Sequence, residues 1–232
     1  MKLTTADIAR MIDLSAVRAE DNDDYIESLV ACANKYRCIA VFPLPSRVPL
    51  VRELLGPNTE MIIGGAVGFP SGGQTTAAKV FETKELISMG CTEIDMVINI
   101  SKLRSGRTDE VCADIRAVVD AAAGMPVKVI LECHYLSDAQ ILQACDEAMR
   151  AKVDWVKTGT GWAPSGATLK NIALIKGHVG DAVGVKAAGG IRDLNTLLEM
   201  YKLGARRFGL GLNSSTKILE EAFALSAGFV EV

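Results

Sequence analysis

Short apolar runs recur along this chain at intervals of roughly 25–33 residues, the spacing of a repeating strand–loop–helix–loop unit. The runs are Met11–Leu14, Ile39–Phe42, Ile62–Val67 and Glu93–Asn99, then Val127–Glu132, Val153–Lys157, Val183–Lys186 and Arg206–Gly211. Helical periodicity fills the intervals. In Thr108–Ala123 the positions Val111, Ile115, Val118, Val119 and Ala122 form one stripe, and Gly124 follows as a stop. Ser137 and Gln140 make a capping box ahead of ILQACDEAM. Eight such units, with no linker, charge block or low-complexity stretch, predict a single-domain (β/α)8 barrel (a TIM barrel) over residues 1–232. The rival is a doubly wound open sheet, but no G-x-G-x-x-G turn follows the first strand.

Alternation within the strands assigns side chains to faces. Along EIDMVIN, Glu93, Asp95, Val97 and Asn99 share one face, and Ile94, Met96 and Ile98 share the other. The second set suits packing on helices, so Asp95 is expected to point into the barrel lumen. Lys128, Ile130 and Glu132 share a face by the same parity. Gly184 falls on the face of Lys186 and should leave room beside it, and Trp155 shares the face of Lys157 as barrel filling.

Two lysines end successive strand candidates, Lys157 in VDWVKTGTG and Lys186 in VGVKAAGG. A lysine closing a buried strand is costly unless a neighbour shifts its pKa or uses it chemically. One ammonium facing another depresses the second pKa, and the resulting neutral amine can attack a carbonyl to form a Schiff base. Any one of Lys157, Lys186 and Asp95 is explicable as half of a buried ion pair. Two lysines with one carboxylate leave uncompensated positive charge, which favours catalysis over structure.

Composition adds exclusions. Of the 232 residues 49% are hydrophobic and 23% charged, with a net charge of −3, and no basic patch points to nucleic acid. The start MKLTTADIARMIDLS lacks the apolar stretch of a signal peptide, and no long apolar run suggests a membrane span. The cysteines at 32, 38, 91, 112, 133 and 145 show no C-x-x-C spacing and read as reduced thiols of a cytoplasmic enzyme. Glu132 and His134 could be read as metal ligands. The other histidine, His178, falls before the seventh strand and so on the opposite barrel face, and neither a metal nor a cofactor is expected.

EIDMVINI, KVILE, VKTGTG…GAT and VGVKAAGGIR together resemble the deoxyribose-phosphate aldolases over nearly the whole chain. The resemblance implies a class I aldolase on a (β/α)8 barrel that reversibly cleaves 2-deoxy-D-ribose 5-phosphate to acetaldehyde and D-glyceraldehyde 3-phosphate. It implies Lys157 as the Schiff-base residue, Lys186 as its activating neighbour and Asp95 in proton relay. Thr160, Gly161, Gly189, Gly190, Gly209 and Gly211 are the candidate residues at the substrate and its phosphate, the glycines through backbone amides, with Ser214 reaching it by a shifted strand-eight loop. The partners implied are small aldehydes and sugar phosphates, and a homo-oligomer is compatible with the sequence, which does not itself reveal the assembly. The helix after Gly189–Gly190 should present its N-terminus to the anion.

The eighth strand departs from the family. RRFGLGLNSS carries Gly211 and Leu212 where paired serines usually hold the phosphate, and Asn213, Ser214 and Ser215 come later. The loss implies weakened phosphate binding, restorable by Gly211→Ser with Leu212→Ser. Ala40 and Phe42 replace polar residues expected to line the cavity mouth, and no tyrosine follows Tyr201 to assist proton transfer. A paralogous aldolase with another substrate, or a non-catalytic sugar-phosphate-binding barrel, stands as the alternative.

Overall fold

The structure is a computed structural model that describes residues 2–225 and 227–231. Its strands are β1 (Lys2–Thr4), β2 (Ile12–Ala16), β3 (Ala40–Pro43), β4 (Ile62–Val67) and β5 (Glu93–Val97), then β6 (Val127–Ile130), β7 (Trp155–Lys157), β8 (Gly184–Ala188), β9 (Arg207–Leu210) and β10 (Phe229–Glu231). The helices are α1 (Thr5–Ala9), α2 (Asp23–Tyr36), α3 (Val48–Leu55), α4 (Thr76–Ser88) and α5 (Ile100–Arg104), then α6 (Thr108–Ala121), α7 (Asp138–Arg150), α8 (Leu169–Val179), α9 (Leu194–Lys202) and α10 (Leu212–Phe223). Strands β2 to β9 close in sequence order into a parallel barrel, as the spacing predicts. β1 and β10 pair antiparallel and tie the ends of the chain together, a pairing that the barrel repeat does not announce.

Each expected strand is present, with its ends shifted by local chemistry. The run from Glu93 stops at Val97 because Asn99 turns to cap α5, its side chain accepting from the Lys102 amide at 3.1 Å. The run from Val127 stops at Ile130, and Glu132 adopts the left-handed conformation at φ 53°. The capping box at Ser137 and Gln140 forms as read. Helix α6 buries Val111, Ile115, Val118 and Ala122, while Val119 lies half-buried at its edge. Asp114 shares this buried face against its polarity. Lys79 meets it at 2.6 Å and Thr76 Oγ1 donates to it at 2.7 Å, which compensates the charge.

The outward faces of the strands carry Ile94, Met96, Ile98, Val127, Val129 and Leu131 into the helical layer, where all are buried. The lumen is polar, and close packing decides where glycines stand. A Cβ on Gly184 would lie 2.2 Å from the Trp155 ring, so the room expected beside Lys186 is taken by that indole. Ala40 and Phe42 do not line the mouth. Both are buried in the lumen, with the Phe42 ring 4.2 Å from Lys186 Nζ and 4.7 Å from Lys128 Nζ. Bulk at an inward position of a small barrel fills the interior rather than facing solvent.

A Cβ on Gly64 would stand 2.0 Å from the Phe42 ring, whose other side is held by those ammonium groups. Gly64→Ala is therefore expected to lower stability by about 1–3 kcal/mol, the range of an overpacked core. Adding Phe42→Leu should return part of the loss in urea unfolding. A Gly64→Ala variant as stable as the wild type would show that the ring is free to move.

Candidate active site

The strand register stacks a layer of charge across the lumen. Lys157 lies opposite Lys186, Lys186 opposite Arg207, and Asp95 opposite Lys128. Asp95 Oδ2 accepts from Lys157 Nζ at 2.9 Å and from Lys186 Nζ at 2.8 Å. Lys186 also reaches Asp13 at 2.6 Å, and Arg207 bridges Asp13 at 2.6 Å to Glu93 at 3.1 Å. Lys128 stands 3.1 Å from Asp95 and also pairs with Glu93. Its amine meets them off the hydrogen-bond directions, so that contact is Coulombic rather than directional. Two lysines and one carboxylate were legible in the sequence. The complete network holds four basic groups against three carboxylates.

Charge balance in this layer sets the protonation states. Burial is the largest influence on Lys157 and, reinforced by the ammonium groups of Lys186 and Lys128 against the pull of Asp95, brings its pKa down to about 8. The neighbouring ammonium thus contributes as expected, but desolvation contributes more. Burial would lower Lys186 too, yet Asp13 and Asp95 outweigh it and hold this amine above its ordinary value. Burial would raise Asp95, but Lys128, Lys157 and Lys186 keep it ionised well below the usual carboxylate range. One proton released from Lys157 brings the four cations and three carboxylates to neutrality. Lys157 is the amine the layer can deprotonate.

Access follows the same division. A cleft of about 400 Å³ opens at the C-terminal ends of β2, β7, β8 and β9, and Lys157 is the member of the charged layer that lines it. The Lys157 side chain is 8% exposed, against 0% for Lys186 and 1% for Asp95. Thr160, Gly161, Gly189, Gly190, Gly209 and Gly211 also line the cleft, joined by Ser15, Arg18, Tyr25 and Arg192. Among the described residues no carboxylate lines this wall, which carries the cations Lys157, Arg18 and Arg192. Ser214 stands behind it, buried, its hydroxyl accepting from Arg192 Nη1 at 3.1 Å.

Local structure builds each part. Buried Glu132 accepts from the Thr160 amide at 3.3 Å and also from its hydroxyl, which fixes the turn following Lys157. A Cβ on Gly159 would stand 2.8 Å from that carboxylate. Gly189 and Gly190 hold φ of 85° and 87°, a left-handed pair that turns the chain out of β8. The helix beyond them does not offer a free N-terminus. Asp193 caps it by accepting from the Thr196 amide at 2.8 Å, and Glu221 takes the Leu194 amide at 3.0 Å. Helix α10 starts at the cleft after Gly211, which supplies no side-chain acceptor of its own. His134 bonds Ser165 and His178 bonds Asp146, and no group of metal-binding residues assembles among the described residues.

Asp13, Glu93, Lys128 and Arg207 carried a readable signal, since the alternation that turned Asp95 inward also turns Asp13 and Arg207 inward in their own strands. Arg192 closes the VGVKAAGGIR motif, but Arg18 and Tyr25 carried no signal. Their place in the cleft depends on how loops fold over the barrel end.

A neutral-capable amine in a parallel barrel, beside a fixed carboxylate and a cationic wall, defines a Schiff-base aldolase site. Comparison with known proteins agrees. The profile of DeoC/LacD family aldolases matches residues 9–217, and the chain belongs to that family. It is 45% identical to the deoxyribose-phosphate aldolase of Klebsiella pneumoniae over 223 residues, 95% of this chain and 90% of that one. It is 42% identical to the enzyme of that name from Sinorhizobium medicae over 230 residues, 99% of this chain and 93% of that one. A solved structure described as a tetrameric deoxyribose phosphate aldolase from Aeropyrum pernix superposes with a TM-score of 0.84 at 26% identity, covering 95% of this chain and 93% of that one.

With the Lys157 pKa near 8, the neutral fraction of this amine grows as pH rises through that value. The rate of imine formation at Lys157 should increase about tenfold per pH unit below 8 and level off above it. A rate still climbing beyond pH 9 would mean that the amine keeps its ordinary affinity for protons.

Proposed function

We propose that the chain is a deoxyribose-phosphate aldolase in which Lys157 forms the Schiff base with 2-deoxy-D-ribose 5-phosphate. The observation that carries this reading is that, of the buried amines, Lys157 alone combines a depressed pKa with a place on the cleft wall. In the cleavage direction its neutral Nζ adds to the C1 aldehyde, and loss of water leaves a protonated imine. The imine draws electrons as the C2–C3 bond breaks and the C3 hydroxyl gives up its proton. D-Glyceraldehyde 3-phosphate leaves, the enamine takes a proton at C2, and hydrolysis releases acetaldehyde. The chemistry needs no divalent ion, because the iminium nitrogen is the electron sink.

Asp95 suits this sequence as a fixed counter-charge. Its carboxylate touches Lys157 Nζ at 2.9 Å, so the positive charge on the imine nitrogen forms beside a partner already in place. Lys186 shares the same oxygen and keeps its proton. Both groups are closed off from the cleft, so any proton they exchange with substrate must pass through Lys157 itself or through a water beside it. Thr160 and Gly161 bound the sugar end. Arg192, Gly189, Gly190, Gly209 and Gly211 bound the phosphate end, with Ser214 holding Arg192 in place.

The aldolase works on small aldehydes and sugar phosphates, and no helix among the described residues is long and apolar enough to cross a membrane. A cytoplasmic homo-oligomer is the assembly we propose. The six cysteines are unpaired, the Aeropyrum pernix relative is a tetramer, and Phe81 is 69% exposed on α4.

Borohydride added with acetaldehyde should fix one ethyl group, on Lys157, in protein stripped with EDTA. Lys157→Ala and Lys157→Arg should both lose cleavage of deoxyribose 5-phosphate, since a guanidinium stays protonated. An adduct on Lys186, or none, would overturn the assignment.

A further inference from the structure

The N-terminus of α10 has an occupant drawn from the opposite end of the chain. Tyr25, in the first turn of α2, reaches across 187 residues of sequence so that its hydroxyl oxygen accepts from the Leu212 amide at 2.9 Å. Asn22 fixes its backbone by accepting from the Tyr25 amide at 3.0 Å. The ring is half-buried and lines the cleft beside Ser15, Arg192 and Gly211. A phenol oxygen that accepts a hydrogen bond still has its own O–H to give, and that proton meets no acceptor among the described residues. Accepting from an amide also polarises the O–H and makes it a better donor.

This hydroxyl stands where the strand-eight loop lost its serines. A Cβ on Gly211 would lie 3.3 Å from the Tyr25 oxygen, so a serine there and the phenol compete for one space. Glycine at 211 leaves the phenol unpressed, whereas a side chain there would make it give by a few tenths of an ångström. Burial holds Tyr25 above its ordinary pKa, so it remains protonated at working pH.

We propose that the Tyr25 hydroxyl donates to the phosphate ester of the substrate and, in this chain, replaces the serine hydroxyls missing at Gly211 and Leu212. The proposal rests on the aldolase reading and sharpens its specificity. It also reverses the expectation drawn from the sequence. The phosphate grip is kept by a residue on another helix, and serine added to the wild-type loop should gain nothing.

The test compares kcat/KM for deoxyribose 5-phosphate and deoxyribose in wild type, Tyr25→Phe, Gly211→Ser and the double variant. Tyr25→Phe should lower the ratio of phosphorylated to unphosphorylated sugar by about ten- to a hundred-fold, chiefly through KM, as befits one lost charge-assisted hydrogen bond. Gly211→Ser alone should not raise the ratio. Combined with Tyr25→Phe it should restore part of it, because the vacated space then holds a serine hydroxyl. Titration of inorganic phosphate into wild type and Tyr25→Phe reads the same donor without turnover and should show weaker binding in the variant. If wild type cleaves neither sugar, the aldolase reading fails, and the phosphate titration still judges Tyr25. An unchanged ratio with unchanged phosphate affinity, or a parallel loss for both sugars with no rescue by serine, would make Tyr25 a helix cap only.

Discussion

Everything in this barrel that bears on reactivity depends on one buried layer of charge. Four basic groups and three carboxylates are buried together in the lumen at Asp13, Glu93, Asp95, Lys128, Lys157, Lys186 and Arg207, and Lys157 reaches the cleft. Burying charge is expensive, and removal of one partner from such a network leaves an uncompensated ion. The layer therefore fixes the protonation of each member through the others. Its surplus of one positive charge falls on Lys157, because that amine has Asp95 alone as its carboxylate partner, whereas Lys186 has two. Nucleophilicity here is a property of the layer.

The cleft wall carries the complementary half of the account. It is cationic and, among the described residues, free of carboxylates, it opens where strands β8 and β9 hand over to their helices, and it ends at the start of α10, where the Tyr25 hydroxyl meets the Leu212 amide. Those features suit a phosphate. The amine at one end and the anion site at the other set the direction in which a short sugar phosphate lies, with its aldehyde toward Lys157.

The repeat of strands, the inward aim of Asp95, the two lysines and the capping box at Ser137 were legible because each depends on local periodicity or on a short pattern. The size of the charge layer was legible in part. Lys128 and Glu93 were placed on the inward faces, but their partners Asp13 and Arg207 needed the barrel to bring the first and last barrel strands together. The glycines misled where their neighbours were distant in sequence: Gly184 makes room for Trp155, and Gly211 lies against the Tyr25 hydroxyl. The helix start after Gly190 reads as open until Asp193 and Glu221 are seen to fill it.

Two adjacent buried lysines are displaced to opposite sides of the ordinary lysine pKa. That opposition is tested most directly by titrating the protein with lysine side chains labelled at the ε-carbon and following each resonance by NMR, with Lys157→Met and Lys186→Met to assign them. The account predicts that Lys157 titrates near 8, while Lys186 keeps its proton beyond the ordinary lysine value of 10.5. Lys157 titrating at or above 10.5, or Lys186 losing its proton first, would contradict it.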